Sequence, residues 1–361
     1  VGALLFMTLI GGSIIAFLGV FFAKEILLLL GIDPKIMHLA LPYVQWMLMS
    51  SPFLFIYITY TSILRGVGDS TTPLMASSLT IIVGVIVTPA LIGGYFGLPK
   101  LGIIAPAIAS GLGFISTLAF LYIYLNKKDH ALRPDSALIQ HIRYHPQFSR
   151  SILRLGVPTG IQMVTNSVAG LVVIGLVNQH GAHATAAYGA VNQVLNYIQF
   201  PALSIAIAGS IFAAQAIGAG KSELLAKVTR TALLSNIVIT GSLVLLAYIC
   251  SKYLMALFIT DPSVIELGQQ LLFIVLWSII FFGASAIFAS IMRASGTVTV
   301  PMIFNILSIL LIEVPCAYLF SQWFGLQGIW YALALTFFSL CLMQGLYYQF
   351  VWKKKTIEIL I

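Results

Sequence analysis

The sequence predicts an all-α polytopic membrane protein: two parallel six-helix bundle repeats, with about ten transmembrane helices present in this chain. Three observations predict it. Of 361 residues, 60% are hydrophobic and 8% charged, with a mean hydropathy of +1.03, whereas about a quarter of the residues of a soluble domain are charged. The apolar residues fall into runs of about twenty or more, the length a helix needs to cross a bilayer. And the chain repeats itself: Ser62 to Met75 (SILRGVGDSTTPLM) returns as Ser290 to Ile303 (SIMRASGTVTVPMI). Arg65 pairs with Arg293 and Pro73 with Pro301, an offset of 228 in both cases (293 − 65 and 301 − 73). A fixed offset is the mark of an internal repeat.

In order, the runs are 2–31, 37–63, 73–96, 101–126, 151–179, 186–217, 230–258, 264–291, 299–322 and 327–352. Turn and cap signals separate them, among them Asp33-Pro34, Gly66 to Pro73, Gly97 to Gly102 and Asp261-Pro262. The one long polar interruption divides the chain into an N-terminal bundle (1–126), a cytoplasmic linker (127–150) and a C-terminal bundle (151–361). The repeat extends beyond its first sign, since LGIDPKI at Leu30 to Ile36 answers FITDPSVI at Phe258 to Ile265, setting Asp33 against Asp261. An even number of helices separates the copies, so both run in the same membrane direction. The second copy begins near Ser149, and subtracting 228 predicts about 80 residues, two more helices, ahead of Val1.

Basic residues fix the orientation. If the first run enters from the cytoplasm, fourteen of the 18 Lys and Arg lie inside, among them Arg65, Lys127, Lys221, Arg293 and Lys353 to Lys355; only Lys24, Lys35, Lys100 and Lys252 lie outside. The C-terminus is then cytoplasmic and the protein sits in the inner or plasma membrane. The net charge of +8 belongs to these short punctuations and builds no continuous basic face, so no nucleic-acid partner is expected. Cys250, Cys316 and Cys341 lack ligand or disulfide spacing and read as small core residues. His130, His141, His145, His180 and His183 do not form a zinc pattern, and Gly220-Lys221-Ser222 lacks the strand and earlier glycine of a phosphate-binding loop. No metal is expected, and neither a HExxH helix nor a GxSxG elbow is present to support an enzyme.

Ionisable groups inside a span are costly and mark function. Of the ten acids, nine fall at helix ends or in loops. Only Glu313, in ILLIEVPCAYLF beside Pro315, lies within a span. Proline leaves a carbonyl unpaired and favours a kink there, and the carboxyl is a candidate to carry a proton or help hold a cation; the alternative is a structural carboxylate paired across helices. Gln162 and Asn166 are four apart, hence on one helical face, and Asn192, Asn196 and Gln199, with Gln193 beside them, form a second polar stripe. These are candidates for the substrate cavity, with interhelical packing the alternative. Arg65 and Arg293, each followed by a glycine turn, are candidates for cytoplasmic gate or turn positions.

LRGVGDSTTP at Leu64 to Pro73, its echo at Met292 to Pro301, LGVPTGIQ at Leu155 to Gln162, and the run from GAHATAAYGAVNQ to AAQAIGAGKSE between Gly181 and Glu223 together resemble the multidrug and toxic compound extrusion (MATE) family. The likeness covers the chain from the family's third helix to its twelfth, and the loop length with LGVPTGIQ is similar to the branch named for DNA-damage-inducible protein F. The resemblance implies export of cationic or amphipathic organic compounds by alternating access between two facing bundles. It implies a monomer that needs no cofactor beyond a coupling ion, H+ or Na+. It also implies that the first half's coupling acid lies on the absent first helix, and that Asn166 stands where the sodium-driven branch has an acid. A flippase for lipid-linked oligosaccharides and a passive channel remain alternatives; the flippase would favour Lys or Arg inside the spans, and none is found.

Overall fold

The computed structural model describes residues 1–29, 32, 34–130, 132–135, 142–143 and 145–354. Asp33, His141, Lys355 and Glu358 lie outside the described residues. Among the described residues every regular element is helical. Nine helices among the described residues are long and apolar enough to cross a membrane, and one bent pair makes a tenth. The chain divides into two compact units, Val1–Leu153 and Arg154–Ile361.

The first unit holds α1 (Gly2–Leu29), α2 (Met37–Met49), α3 (Ser51–Gly66), α4 (Thr71–Gly93) and α5 (Ala105–Lys127). The expected single run 37–63 is two helices bent by 42° at Ser50, where Pro52 opens α3 without a backbone donor. Small residues set the distances between helices. A Cβ on Gly12 would fall 2.9 Å from the Pro52 backbone, so α1 and α3 pack in direct backbone contact, and Ser51 Oγ donates to the Gly12 carbonyl at 3.1 Å. The hydroxyls of Thr80 and Thr117 meet at 2.7 Å between α4 and α5, with Thr117 fully buried. Such pairs replace the hydrophobic drive that lipid does not supply.

The repeated stretch forms the corner between α3 and α4. Asp69 Oδ1 accepts from the Thr71 and Thr72 amides at 3.1 and 3.0 Å, satisfying the free donors at the start of α4. Arg65 ends α3 and donates from Nη2 to Ser62 Oγ.

The second unit holds most of α6 (Pro146–Asn178), then α7 (Ala182–Gly218), α8 (Leu224–Ala256), α9 (Pro262–Val275), α10 (Ile279–Ala294), α11 (Thr299–Ser308), a π turn at Ile309–Glu313, α12 (Val314–Phe324) and α13 (Leu326–Phe350). Two boundaries correct the expectation: α6 starts inside the stretch read as linker, with Pro146 in its first turn, and α8 starts six residues before 230. Polar residues at Arg150, Lys227 and Arg230 masked both first turns in a reading by hydropathy.

The core of this unit joins α7, α9 and α13 through Val191, Val194, Leu271, Leu272, Val275 and Trp330. Asn236 is fully buried; its Nδ2 donates to the Ile280 carbonyl at 3.0 Å and its Oδ1 accepts from Thr240 at 2.9 Å. At the α10 corner, Trp352 Nε1 donates to Ser295 Oγ at 3.0 Å. Arg293 occupies the position of Arg65 in the other repeat copy, but its Nε is buried without a hydrogen-bond partner among the described residues. The three cysteines are free and half-buried.

Candidate functional site

Glu313 owes its position to the local sequence. Pro315 has no N–H for the carbonyl four residues back, so the ladder cannot continue as a plain α-helix. Residues Ile309–Glu313 instead form a π turn. Such turns sit often at functional sites. Here the wider turn ends on the acid, and Pro315 restarts the helix in the first turn of α12.

The Glu313 side chain lines a cavity of about 140 Å³ inside the second unit. Its polar wall is one face of α7: Tyr188, Asn192, Asn196 and Gln199, recurring at helical spacing. Tyr188 and Asn192 are one turn apart on this face, and both line the cavity with Glu313. On the α13 side stands Trp330, 1% exposed, tilted on Tyr188 at a centroid distance of 5.6 Å. Its Nε1 is buried and has no hydrogen-bond partner among the described residues, which places an unused donor in the wall. Gly170 and Val173 of α6, Ala317 of α12 and Phe337 of α13 close the remainder. No Lys or Arg is among the lining residues.

The arrangement joins one carboxyl, a phenol, three amides and an indole N–H around a space below the roughly 300–1,000 Å³ of a drug-sized site. It has room for a small cluster of waters or a hydrated ion.

The sequence candidates divide accordingly. Glu313, Asn192 and Asn196 are brought together, with Gln199. Gln193 is exposed and turned off this face, and Gln162 and Asn166 do not line the cavity. Both lie on α6 in register with Gly170, at four-residue steps, so they continue the cavity-facing ridge beyond its rim. Arg65 and Arg293 sit at the helix ends expected of them and are not among the residues lining this cavity. Tyr188 and Trp330 were not singled out from sequence. Tyr188 stands one turn before Asn192 on the same stripe and was legible by spacing; Trp330 gave no signal.

Outside the spans, Asp69 has a lowered pKa. Its partial burial pushes the carboxyl up, and the hydrogen bonds from Thr72 and Thr71 together outweigh that and hold it below the usual range. Asp261, the N-cap of α9, is held low by the Ser263 hydroxyl and amide.

The MatE family model matches residues 1–90 and 158–319. The chain is 40% identical over 364 residues to the Bacillus subtilis (strain 168) protein named "Probable multidrug resistance protein YoeA", covering 100% of this chain and 78% of that one. It is 29% identical over 354 residues to "Probable multidrug resistance protein YpnP" of the same organism, covering 96% and 77%. A crystal structure of a mutant of the Vibrio cholerae MATE transporter VcmN matches with a TM-score of 0.86 at 18% identity, over 99% of this chain and 80% of that one, a likeness of fold. With the family model on most of its length and so similar a relative along all of it, the chain belongs to the MATE family of multi-pass membrane transporters.

Proposed function

We propose that this transporter exports cationic or amphipathic organic compounds by alternating access, in exchange for protons or sodium ions moving inward, and that Glu313 is a coupling group of its second unit. The observation that carries the coupling role is the cavity itself: Glu313, in the middle of its span, shares with Tyr188, Asn192, Asn196 and Gln199 the lining of a space sized for water or an ion. A carboxyl there can take a proton from a water cluster or share a cation with the amide oxygens, and either event changes the charge of the cavity by one. A shift between two states is driven only by a ligand that favours one of them, and a single buried charge does so strongly. The cargo then binds elsewhere, since this space is smaller than a drug needs.

In this reading the partners are small organic cations and the surrounding bilayer. The chain works as a monomer without cofactor or nucleic acid. It spans the inner or plasma membrane with the C-terminus in the cytoplasm, because fourteen of its 18 Lys and Arg then lie inside. The test is transport of an organic cation dye by the full-length protein in proteoliposomes under separately imposed proton and sodium gradients. Dye movement driven by one of them is expected; no movement under either overturns the proposal.

A further inference from the structure

A second hollow of the second unit lies between α7 and α8, with a volume of about 510 Å³. Its walls are largely apolar, with Ile205, Ala208 and Phe212 from α7 and Ile239 from α8. The feature that identifies an occupant is the order of residues along α8. Lys227, Thr231, Ser235 and Ile239 all line the hollow and follow at four-residue steps, which places them on one ridge of the helix. From the first turn of α8 inward the ridge reads cation, hydroxyl, hydroxyl, alkyl. At about 1.5 Å per residue it runs about 18 Å, comparable to half of a hydrocarbon core about 30 Å thick.

Hydroxyls on apolar helices usually bond back to a carbonyl of the preceding turn. Ser204, Thr229 and Ser242 do so here. Thr231 and Ser235 have no such partner among the described residues, and Lys227 joins no ion pair among them. Three polar groups therefore face the hollow unengaged. Around the same helix end stand Lys221, Glu223, Lys227 and Arg230, a balance of three positive charges to one negative.

We propose that this groove is a binding site for one anionic phospholipid, its phosphate on Lys227, its glycerol and ester oxygens at Thr231 and Ser235, and an acyl chain along Ile239 and Ile205. The polarity of the ridge follows that of the lipid from headgroup to chain, and the surplus of positive charge selects an anionic over a zwitterionic headgroup. The site does not depend on the coupling role of Glu313 or on the cargo.

The test is native mass spectrometry of the full chain in detergent, titrated with phosphatidylglycerol and phosphatidylcholine of matched chains. Expected is retention of one phosphatidylglycerol at least fivefold over phosphatidylcholine. Lys227→Gln should bring that ratio close to one, and Ala208→Phe, which fills the groove from its exposed wall, should reduce retention of both lipids. Equal retention of the two lipids by the unaltered protein, or an unchanged ratio in Lys227→Gln, overturns the proposal. A photo-crosslinking residue in place of Phe212 gives a reading independent of variant folding: capture of phosphatidylglycerol over phosphatidylcholine supports the site, and equal capture overturns it.

Discussion

Gly283 and Asn236 are so close that a methyl group on the glycine would overlap the Asn236 carboxamide oxygen. The approach lets the amide reach the Ile280 carbonyl and receive Thr240, so a buried polar group is satisfied only while α10 carries no side chain at that point. Gly283→Ala should lower stability by about 1–3 kcal/mol through overpacking and should displace the amide from its partners. Thermal unfolding in detergent checks this. The double variant with Asn236→Ala should lose less than the sum of the two single variants, as contacting residues do; strict additivity would count against the contact.

Glu313→Gln keeps the shape of the side chain and removes its titration. Export driven by the coupling ion should fall at least tenfold, with the variant unfolding at a temperature close to that of the parent. Resistance to a cationic drug in growing cells, compared at several external pH values, reads the effect. Export equal to the parent at every pH would reduce Glu313 to a structural carboxylate.

Asn192 and Gln193 are neighbours on α7 with opposite settings, one lining the cavity one turn from Tyr188, the other exposed. Asn192→Ala should slow transport severalfold and Gln193→Ala should leave it within twofold, both measured as initial rates in proteoliposomes. Equal losses would mean that the polar stripe acts through its whole circumference.

Asp69→Ala removes the cap of α4 and should cost about 1 kcal/mol. Because hydrogen bonds hold the Asp69 carboxyl below its usual range, its contribution is present above the unfolded-state value near pH 4 and is lost as pH falls through the folded value. The difference in unfolding temperature between parent and variant should therefore shrink on acidification below about pH 4. A difference that grows there would contradict the capping geometry.

Much of the fold was legible because lipid enforces it: apolar length alone located the spans, and the offset of 228 between Arg65 and Arg293 located the repeat. The 42° break at Ser50 was not, since the dip at Ser50-Ser51-Pro52 is too short to interrupt an otherwise apolar run. The cavity was half legible. Charge inside a span pointed to Glu313, and helical spacing to Asn192 and Asn196, while the partners on α13 depend on which faces of α7, α12 and α13 meet. Gln162 and Asn166 satisfied the same spacing rule as Asn192 and Asn196 yet lie beyond the cavity rim, because period identifies a face and not its depth.

The π turn at Ile309–Glu313 also sets a register. Each residue of an α-helix turns the chain by about 100°, and a π turn contains one residue more than the α turn it replaces. Every side chain from Val314 onward is therefore rotated by about that angle from where an unbroken helix through Thr299–Phe324 would aim it. Ala317 reaches the cavity on the strength of that single surplus residue. Deleting one residue from this turn would close it to an α turn and leave the face that α12 presents to α13 unchanged, so the loss would fall on the wider turn that ends on Glu313 and not on the packing beyond it.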